Sequence, residues 1–105
     1  MAEFNNVSIA KAANILFDGN ITSRSIVFED GSRKTLGIML TRKKEINTVH
    51  KEVMDIQRGT LEVMLPAQDW QKFDGPASFE IQANSKFRLR VHSLVDYCCS
   101  FVKNH

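Results

Sequence analysis

The side chain in this sequence with the clearest capacity for chemistry is the carboxyl group of Glu52. Within the segment 52–56, Glu52 shares its parity with Met54 and Ile56. Because alternate residues of a strand face opposite sides, a strand here places Glu52 on the same side as these two apolar residues. A carboxylate that faces an interior must be hydrogen-bonded or have a raised pKa. The alternative is that Glu52 is a strand-end acid at the rim of the domain.

The other groups that could do chemistry are dispersed along the sequence. His50 and His92 are isolated, His105 is the last residue, and we interpret all three as solvated surface residues. The sequence has no glycine-rich phosphate loop, no zinc-spaced Cys/His pairs and no nucleophile-elbow serine. The basic triplet at 42–44 is interpreted as a solvated loop, because nucleic-acid-binding segments usually add aromatic stacking groups beside the charge.

Length and composition restrict the elements that can position Glu52. A chain of 105 residues, 43% hydrophobic and 25% charged, is expected to form one globular domain. A net charge of +2 is too small to indicate a nucleic-acid or anionic-membrane partner. No apolar run approaches the roughly 20 residues of a membrane-spanning helix, and the first residues do not resemble a secretory signal. We therefore expect a cytoplasmic protein, in which the adjacent Cys98 and Cys99 stay reduced.

Turn residues divide the chain into short segments typical of β-strands. Clusters of Gly, Asp, Asn and Pro occur at 18–20, 29–32 and 73–76, with shorter turn signals at 58–59 and 83–85. Between the turns lie segments rich in β-branched and aromatic residues, at 25–28, 36–40, 52–56, 60–65, 79–81, 87–91 and 97–101. Such spacing predicts an antiparallel sandwich or barrel. Residues 8–16 alone have a helical option, and they could equally be extended.

Alternation within these segments predicts which side chains face inward. Phe87, Leu89 and Val91 share one face of their strand, whereas Arg88 and Arg90 share the other. We therefore expect the two arginines on the outside of the domain, where they serve an interface or solubility.

An ordered set of short motifs indicates a family. The chain contains Gly37-Ile38-Met39, Thr48, Glu52-Val53-Met54, Gly59, Leu65-Pro66, Trp70, Gly75, Phe79, Ser85-Lys86-Phe87 and Tyr97-Cys98-Cys99. In this order and spacing, it resembles the small single-domain cupins known as pyrimidine/purine nucleoside phosphorylases. One departure is Ile81-Gln82-Ala83, where the family usually has Val-Pro-Ala; this loses a fixed φ but no strand pairing.

The resemblance implies an all-β fold of one domain. The expected architecture is a cupin-type antiparallel β-barrel, also described as a double-stranded β-helix or jelly roll. Residues 21–105 would form the barrel, and residues 1–20 would form an N-terminal extension, as a helical turn or an edge strand.

The general cupin signature bears on metal binding. The second half of the first cupin motif is a Glu, six residues and a Gly, which Glu52 and Gly59 match. With this alignment, the histidine positions of the cupin signature fall near Ile46, Thr48 and Phe87. Isoleucine and phenylalanine cannot ligate a metal, so the resemblance implies a cupin with neither metal nor other cofactor. His50 as a substitute ligand is the alternative.

The family resemblance implies phosphorolysis of purine and pyrimidine nucleosides to free base and α-D-ribose 1-phosphate, with inorganic phosphate as the co-substrate. Glu52 would bind ribose hydroxyls or act as acid or base at the nucleobase. The residues that would bind phosphate or ribose are Arg33, Thr35, Thr48 and Ser85, and those that would wall the base are Met39, Phe87 and Tyr97. For Arg33 and Thr35 the alternative is an exposed hairpin position, and for Met39 and Phe87 it is core packing.

Two further interpretations compete with this enzyme. One is a non-catalytic cupin that senses a small molecule, and the other is a metal-dependent cupin with atypical ligands. Barrels of this kind leave strand edges that dimerisation often covers, so we expect a homodimer, with Trp70, Arg88 and Arg90 as candidate interface residues.

Overall fold

The computed structural model describes residues 2–102 and shows an all-β domain. Its strands are β1 (Ser8–Ile9), β2 (Asn14–Leu16), β3 (Ile21–Val27), β4 (Arg33–Met39), β5 (Arg42–Asn47), β6 (Lys51–Arg58), β7 (Thr60–Met64), β8 (Gln71–Asp74), β9 (Ala77–Ile81), β10 (Lys86–Val91) and β11 (Val95–Val102). A single 3-10 turn, Phe17–Gly19, separates β2 from β3. No helix within this part of the chain is long and apolar enough to cross a membrane.

The strands form two antiparallel sheets. The seven-stranded sheet has the order β1-β3-β4-β11-β6-β9, with β2 also paired to β3. The four-stranded sheet has the order β5-β10-β7-β8. Antiparallel all-β architecture is thus confirmed. Among residues 2–102 no strand pairing joins the two sheets, so the expected closed barrel is not confirmed.

The core lies on the inward faces predicted by alternation. Phe87, Leu89 and Val91 are buried on β10, and Met54 and Ile56 are buried on β6. The side chain of Arg88 is exposed on the opposite face of β10. Burying one large aliphatic side chain stabilises a fold by roughly 1.5–3 kcal/mol, so these alternating residues hold the sheets in register.

Tight turns occur where glycine was expected. Gly59 alone connects β6 to β7, with a φ of +102° that other residues rarely adopt. A Cβ at this position would overlap the backbone oxygen of Leu94 and lie 2.9 Å from the Cα of Val95. The turn therefore requires glycine for space as well as for conformation.

The basic triplet at 42–44 is not a loop, as the sequence suggested, but the first half of β5. Lys44 shares the inward face with its register partner Leu89 and is only 7% exposed. Its Nζ lies 4.3 Å from the centroid of the Phe17 ring and has no hydrogen-bond partner among residues 2–102. Burial, reinforced by the charge of Arg42, lowers the pKa of Lys44, and the charge of Asp18 opposes this shift.

The segment 8–16, for which both a helix and an extended conformation were open, contains no helix. It forms β1 and β2, which both pair with β3 at the margin of the seven-stranded sheet. The apolar stripe that a helix would have had, Ile9, Ala12, Ala13 and Leu16, does not face a core, since all of these except the half-buried Ala13 are exposed. Pairing of the backbone with β3 thus decides the conformation here.

Candidate active site

A cavity of about 360 Å³ lies between the inward faces of the two sheets. Its polar lining residues all belong to the seven-stranded sheet: Asn14, Ser23, Ser25, Arg33, Thr35, Glu52, Tyr97 and Cys99. The four-stranded sheet contributes the apolar residues Ile46, Phe87 and Leu89. The seven-stranded sheet also contributes the apolar residues Leu16, Ile21, Met39, Met54 and Phe101. All polar lining groups thus lie on one wall, which we call the polar wall, whereas the opposite wall is entirely apolar.

Strand register arranges the polar wall into rows. Phe101 on β11 pairs with Arg33 on β4 and with Glu52 on β6, so these three side chains form one row. Cys99 pairs in the same way with Thr35 and Met54 in the next row. Residues distant in sequence thus become neighbours because the three strands are adjacent and antiparallel.

Glu52 is half-buried at the end of its row. Burial raises the pKa of its carboxyl group, because a low-dielectric surrounding disfavours the charged form. A hydrogen bond from the Cys99 thiol and the nearby His50 oppose this rise. Cys99 also hydrogen-bonds with Thr35, and burial raises the pKa of its own thiol. The Cys99 side chain is therefore a neutral thiol when it donates its hydrogen bond to the Glu52 carboxyl group.

Tyr97 reaches into the polar wall across a glycine. Its hydroxyl group hydrogen-bonds with Ser23, and burial raises the pKa of Tyr97 to about 12. A Cβ at Gly37, which lies between them in the sheet, would be 2.8 Å from the Tyr97 hydroxyl oxygen and would overlap the backbone oxygen of Thr22. Only glycine leaves room for this tyrosine.

A cluster of three residues, which we call the amide–serine cluster, consists of Asn14, Ser23 and Ser25. The Asn14 Nδ2 atom donates hydrogen bonds to the Ser23 Oγ atom at 3.2 Å and to the Ser25 Oγ atom at 3.0 Å. Sequence reasoning missed all three residues. The alternation of Ser23, Ser25 and the buried Ile21 along one strand was an available signal, but no local signal places β2 beside β3.

Arg33 is the one cation among the described lining residues. Its side chain is exposed, and its Cζ atom lies 5.9 Å from the centroid of the Phe101 ring. A guanidinium group in this position can meet an anion that enters from solvent.

Six of the eight residues proposed from the sequence line this cavity: Arg33, Thr35, Met39, Glu52, Phe87 and Tyr97. The other two, Thr48 and Ser85, lie outside its lining. The Thr48 hydroxyl donates to the Gln82 carbonyl oxygen at 2.7 Å and accepts from the Ser85 backbone N–H at 3.0 Å. In this structure the pair joins the end of β5 to the turn before β10.

The cavity has few donors that could ligate a metal. Ile46 and Phe87, at two of the cupin histidine positions, are register partners and both line the cavity. Residues 2–102 contain no group of three His, Cys, Asp or Glu side chains placed to hold a metal ion. His50 is exposed, and the His92 Nε2 atom lies 2.7 Å from the Glu62 carboxylate, outside the cavity. His105 lies outside the described residues.

Comparison with known proteins relates this chain to a family. The model of the pyrimidine/purine nucleoside phosphorylase family matches residues 11–101. A protein of that name from Chlorobium chlorochromatii is 53% identical over 102 residues, which are 97% of this chain and 99% of the relative. The chain belongs to this family.

Solved structures similar to this family member support the fold. A protein of unknown function from Acinetobacter sp. ADP1 aligns with a TM-score of 0.90 at 30% identity, covering 95% of this chain and 98% of the other. The cupin domain of Schizosaccharomyces pombe Cnp3 aligns with a TM-score of 0.62 at 13% identity, over 79% of this chain and 66% of the other. The second likeness shows that this phosphorylase-family chain has a cupin-like fold.

Proposed function

We propose that this protein catalyses the phosphorolysis of purine and pyrimidine nucleosides to a free base and α-D-ribose 1-phosphate, with broad base specificity and without a metal. The observation that carries the proposal is one cavity that contains both an exposed cation, Arg33, and a half-buried acid, Glu52. Membership of the pyrimidine/purine nucleoside phosphorylase family supports the same reaction.

In the proposed reaction, Arg33 binds inorganic phosphate at the cavity rim. A phosphate oxygen attacks C1′ of the nucleoside as the bond from C1′ to the base nitrogen breaks, and the bonding electrons leave with the base. The Glu52 carboxyl group, whose pKa is raised by burial, donates its proton to the departing base. The phosphate releases one proton to solvent on forming its ester, and Glu52 takes one proton back from solvent, so the reaction is balanced.

Positioning and electrostatics suffice for this chemistry, because neither a covalent nucleophile nor a Lewis acid is needed. Register places Phe101 between Arg33 and Glu52, so phosphate and base would approach the sugar from different sides. Thr35 and Tyr97 complete the polar wall, whereas Thr48 and Ser85 receive no role in the reaction because their polar groups are engaged in the β5–β10 connection.

Broad base specificity is supported by the apolar wall. Ile46, Phe87 and Leu89 face the cavity and present no hydrogen-bonding side chains, and Met39 adds a further apolar side chain from the seven-stranded sheet. Such a surface recognises a flat base by stacking and shape, and it does not distinguish the polar edges of purines from those of pyrimidines.

The decisive experiment measures base release from uridine, cytidine, adenosine and guanosine with and without inorganic phosphate, before and after treatment with a chelator. We expect phosphate-dependent release from all four nucleosides that survives the chelator. No release at high enzyme concentration would contradict the proposal. Thermal stabilisation by nucleosides without turnover would instead indicate a non-catalytic binding protein.

We also propose that the protein is a cytoplasmic homodimer. On the outer face of the four-stranded sheet, the Arg90 guanidinium carbon lies 3.8 Å from the centroid of the Trp70 ring, beside the exposed Arg88. This patch would contribute to a homodimer, which light scattering tests by mass. The free thiols of Cys98 and Cys99 suit the reducing cytoplasm.

A further inference from the structure

The amide–serine cluster has polar capacity that the protein itself does not use. Both Nδ2 hydrogens of Asn14 are engaged, one by the Ser23 Oγ atom and one by the Ser25 Oγ atom. The Asn14 Oδ1 atom has no partner among residues 2–102, and neither does the hydroxyl hydrogen of Ser25, whose oxygen accepts from Asn14. The cluster therefore offers a ligand one acceptor and one donor, side by side at the cavity.

A vicinal diol matches this pair of free groups. One hydroxyl group of the diol can donate to the Asn14 Oδ1 atom while the other accepts from the Ser25 hydroxyl group. Because the Ser25 oxygen bonds to the nitrogen of the same amide group that carries the Oδ1 atom, the acceptor and donor are neighbours. We propose that the amide–serine cluster binds the 2′,3′-diol of the ribose and makes Asn14 a determinant of preference for ribonucleosides over deoxyribonucleosides.

The edge of a uracil base also presents an acceptor beside a donor, so it is the competing ligand. The family is named for both pyrimidines and purines, whose hydrogen-bonding edges differ while their sugar is the same. A single fixed pair of groups fits the shared sugar better than either class of base. This inference rests on the proposed function, since it assumes that nucleosides enter the cavity.

The position of the cluster is consistent with a sugar site. Ser25 pairs across β3 and β4 with Thr35, one row from Arg33, where phosphate is proposed to bind. Glu52 lies farther along the sheet, on β6 beyond β11. A sugar bound at the cluster is thus adjacent to the proposed phosphate, while the acid remains free to reach the base.

The test compares Asn14→Ala and Ser25→Ala with the wild type on uridine, 2′-deoxyuridine, 3′-deoxyuridine and cytidine. The readouts are kcat/KM and the dissociation constant from calorimetry. Loss of one hydrogen bond to the substrate should lower kcat/KM for uridine roughly tenfold, and at least one deoxyuridine should lose less than about twofold. The ratio of uridine to cytidine should not change.

Asn47→Ala and Ser78→Ala are matched controls, since both side chains are exposed and outside the cavity lining. Equal losses for all three uridines would overturn the diol assignment, and a lower ratio of uridine to cytidine would show that Asn14 reads the base. The wild type could also bind uridine without turnover, which would contradict phosphorolysis. If Asn14→Ala then weakens the binding of uridine more than that of a deoxyuridine, the diol site is still supported. Absence of both turnover and binding overturns both proposals.

Discussion

The two walls of the cavity differ in what their strands contribute. The seven-stranded sheet supplies every polar lining group, including Glu52 and Arg33, whereas the four-stranded sheet supplies Ile46, Phe87 and Leu89. The polar groups on this wall other than Arg33 hydrogen-bond to one another, so each of them is oriented by a neighbour. Under the proposed function, this difference would divide the roles, with the chemistry on the larger sheet and shape recognition on the smaller one.

The largest expected effect comes from removing the acid of the polar wall. Glu52→Gln keeps the size and hydrogen-bonding shape of the side chain but cannot donate a carboxyl proton. We expect kcat to fall by about 100-fold or more, in the range typical of general acid catalysis. Steady-state phosphorolysis of uridine measures this change. Glu29→Gln, at an exposed turn position, is the matched control, and an unchanged rate in Glu52→Gln would remove Glu52 from the mechanism.

The next largest effect is expected from filling the space that Gly37 leaves in the polar wall. In Gly37→Ala, the new methyl group would meet the Thr22 backbone oxygen and lie 2.8 Å from the Tyr97 hydroxyl oxygen. Because backbone on a neighbouring strand cannot easily move away, we expect the free energy of unfolding to fall by at least about 2 kcal/mol. Urea denaturation gives the value. A loss within experimental error would show that Tyr97 and β3 adjust freely.

A smaller effect is expected when the apolar wall loses its aromatic ring. Phe87→Leu retains an apolar side chain of similar reach but removes a surface on which a base can stack. We expect KM to rise about fivefold for uridine and for adenosine alike, equivalent to ~1 kcal/mol of lost stacking. A rise confined to one class of base would contradict recognition by shape, and thermal melts would check that the core is intact.

The smallest effect is a dependence of stability on pH. The folded state raises the pKa of Glu52 above its ordinary value of 4.5, so the fold favours the protonated form. As pH rises from 4.5 through the folded pKa, the wild type should therefore lose stability relative to Glu52→Gln. Denaturation of both proteins at several pH values measures the difference. A difference that stays constant, or that grows in favour of the wild type, would contradict the raised pKa.

The alternation of residues along the strands predicted which side chains face inward and which face outward. The parity of Glu52 with Met54 placed the acid on an inward face, and the spacing of Arg88 and Arg90 placed them outside. Pairing of β2 with β3 has no local signature, and the apolar stripe at 8–16 favours a helix equally well. Asn14 was missed for that reason.

The basic charge of residues 42–44 led to a wrong prediction of a solvated loop where the structure has β5. Three consecutive basic residues are typical of a solvated loop, yet Lys44 lies inward beneath the ring of Phe17. An aromatic face can accommodate an ammonium group, and this contact comes from a segment that precedes Lys44 by more than twenty residues. Sequence alone could not foresee it, because the contact depends on how the N-terminal strands fold back on the sheet.

The marginal position of β2 has an evolutionary consequence. This three-residue strand carries Asn14 on the border of the larger sheet, whereas Glu52 is carried by β6, which is flanked on both sides by other strands. If Asn14 binds the ribose diol as proposed, changes in the short leading segment would alter sugar preference without disturbing the strand that holds the acid. Under that assignment, selectivity and catalytic rate would be free to diverge between relatives.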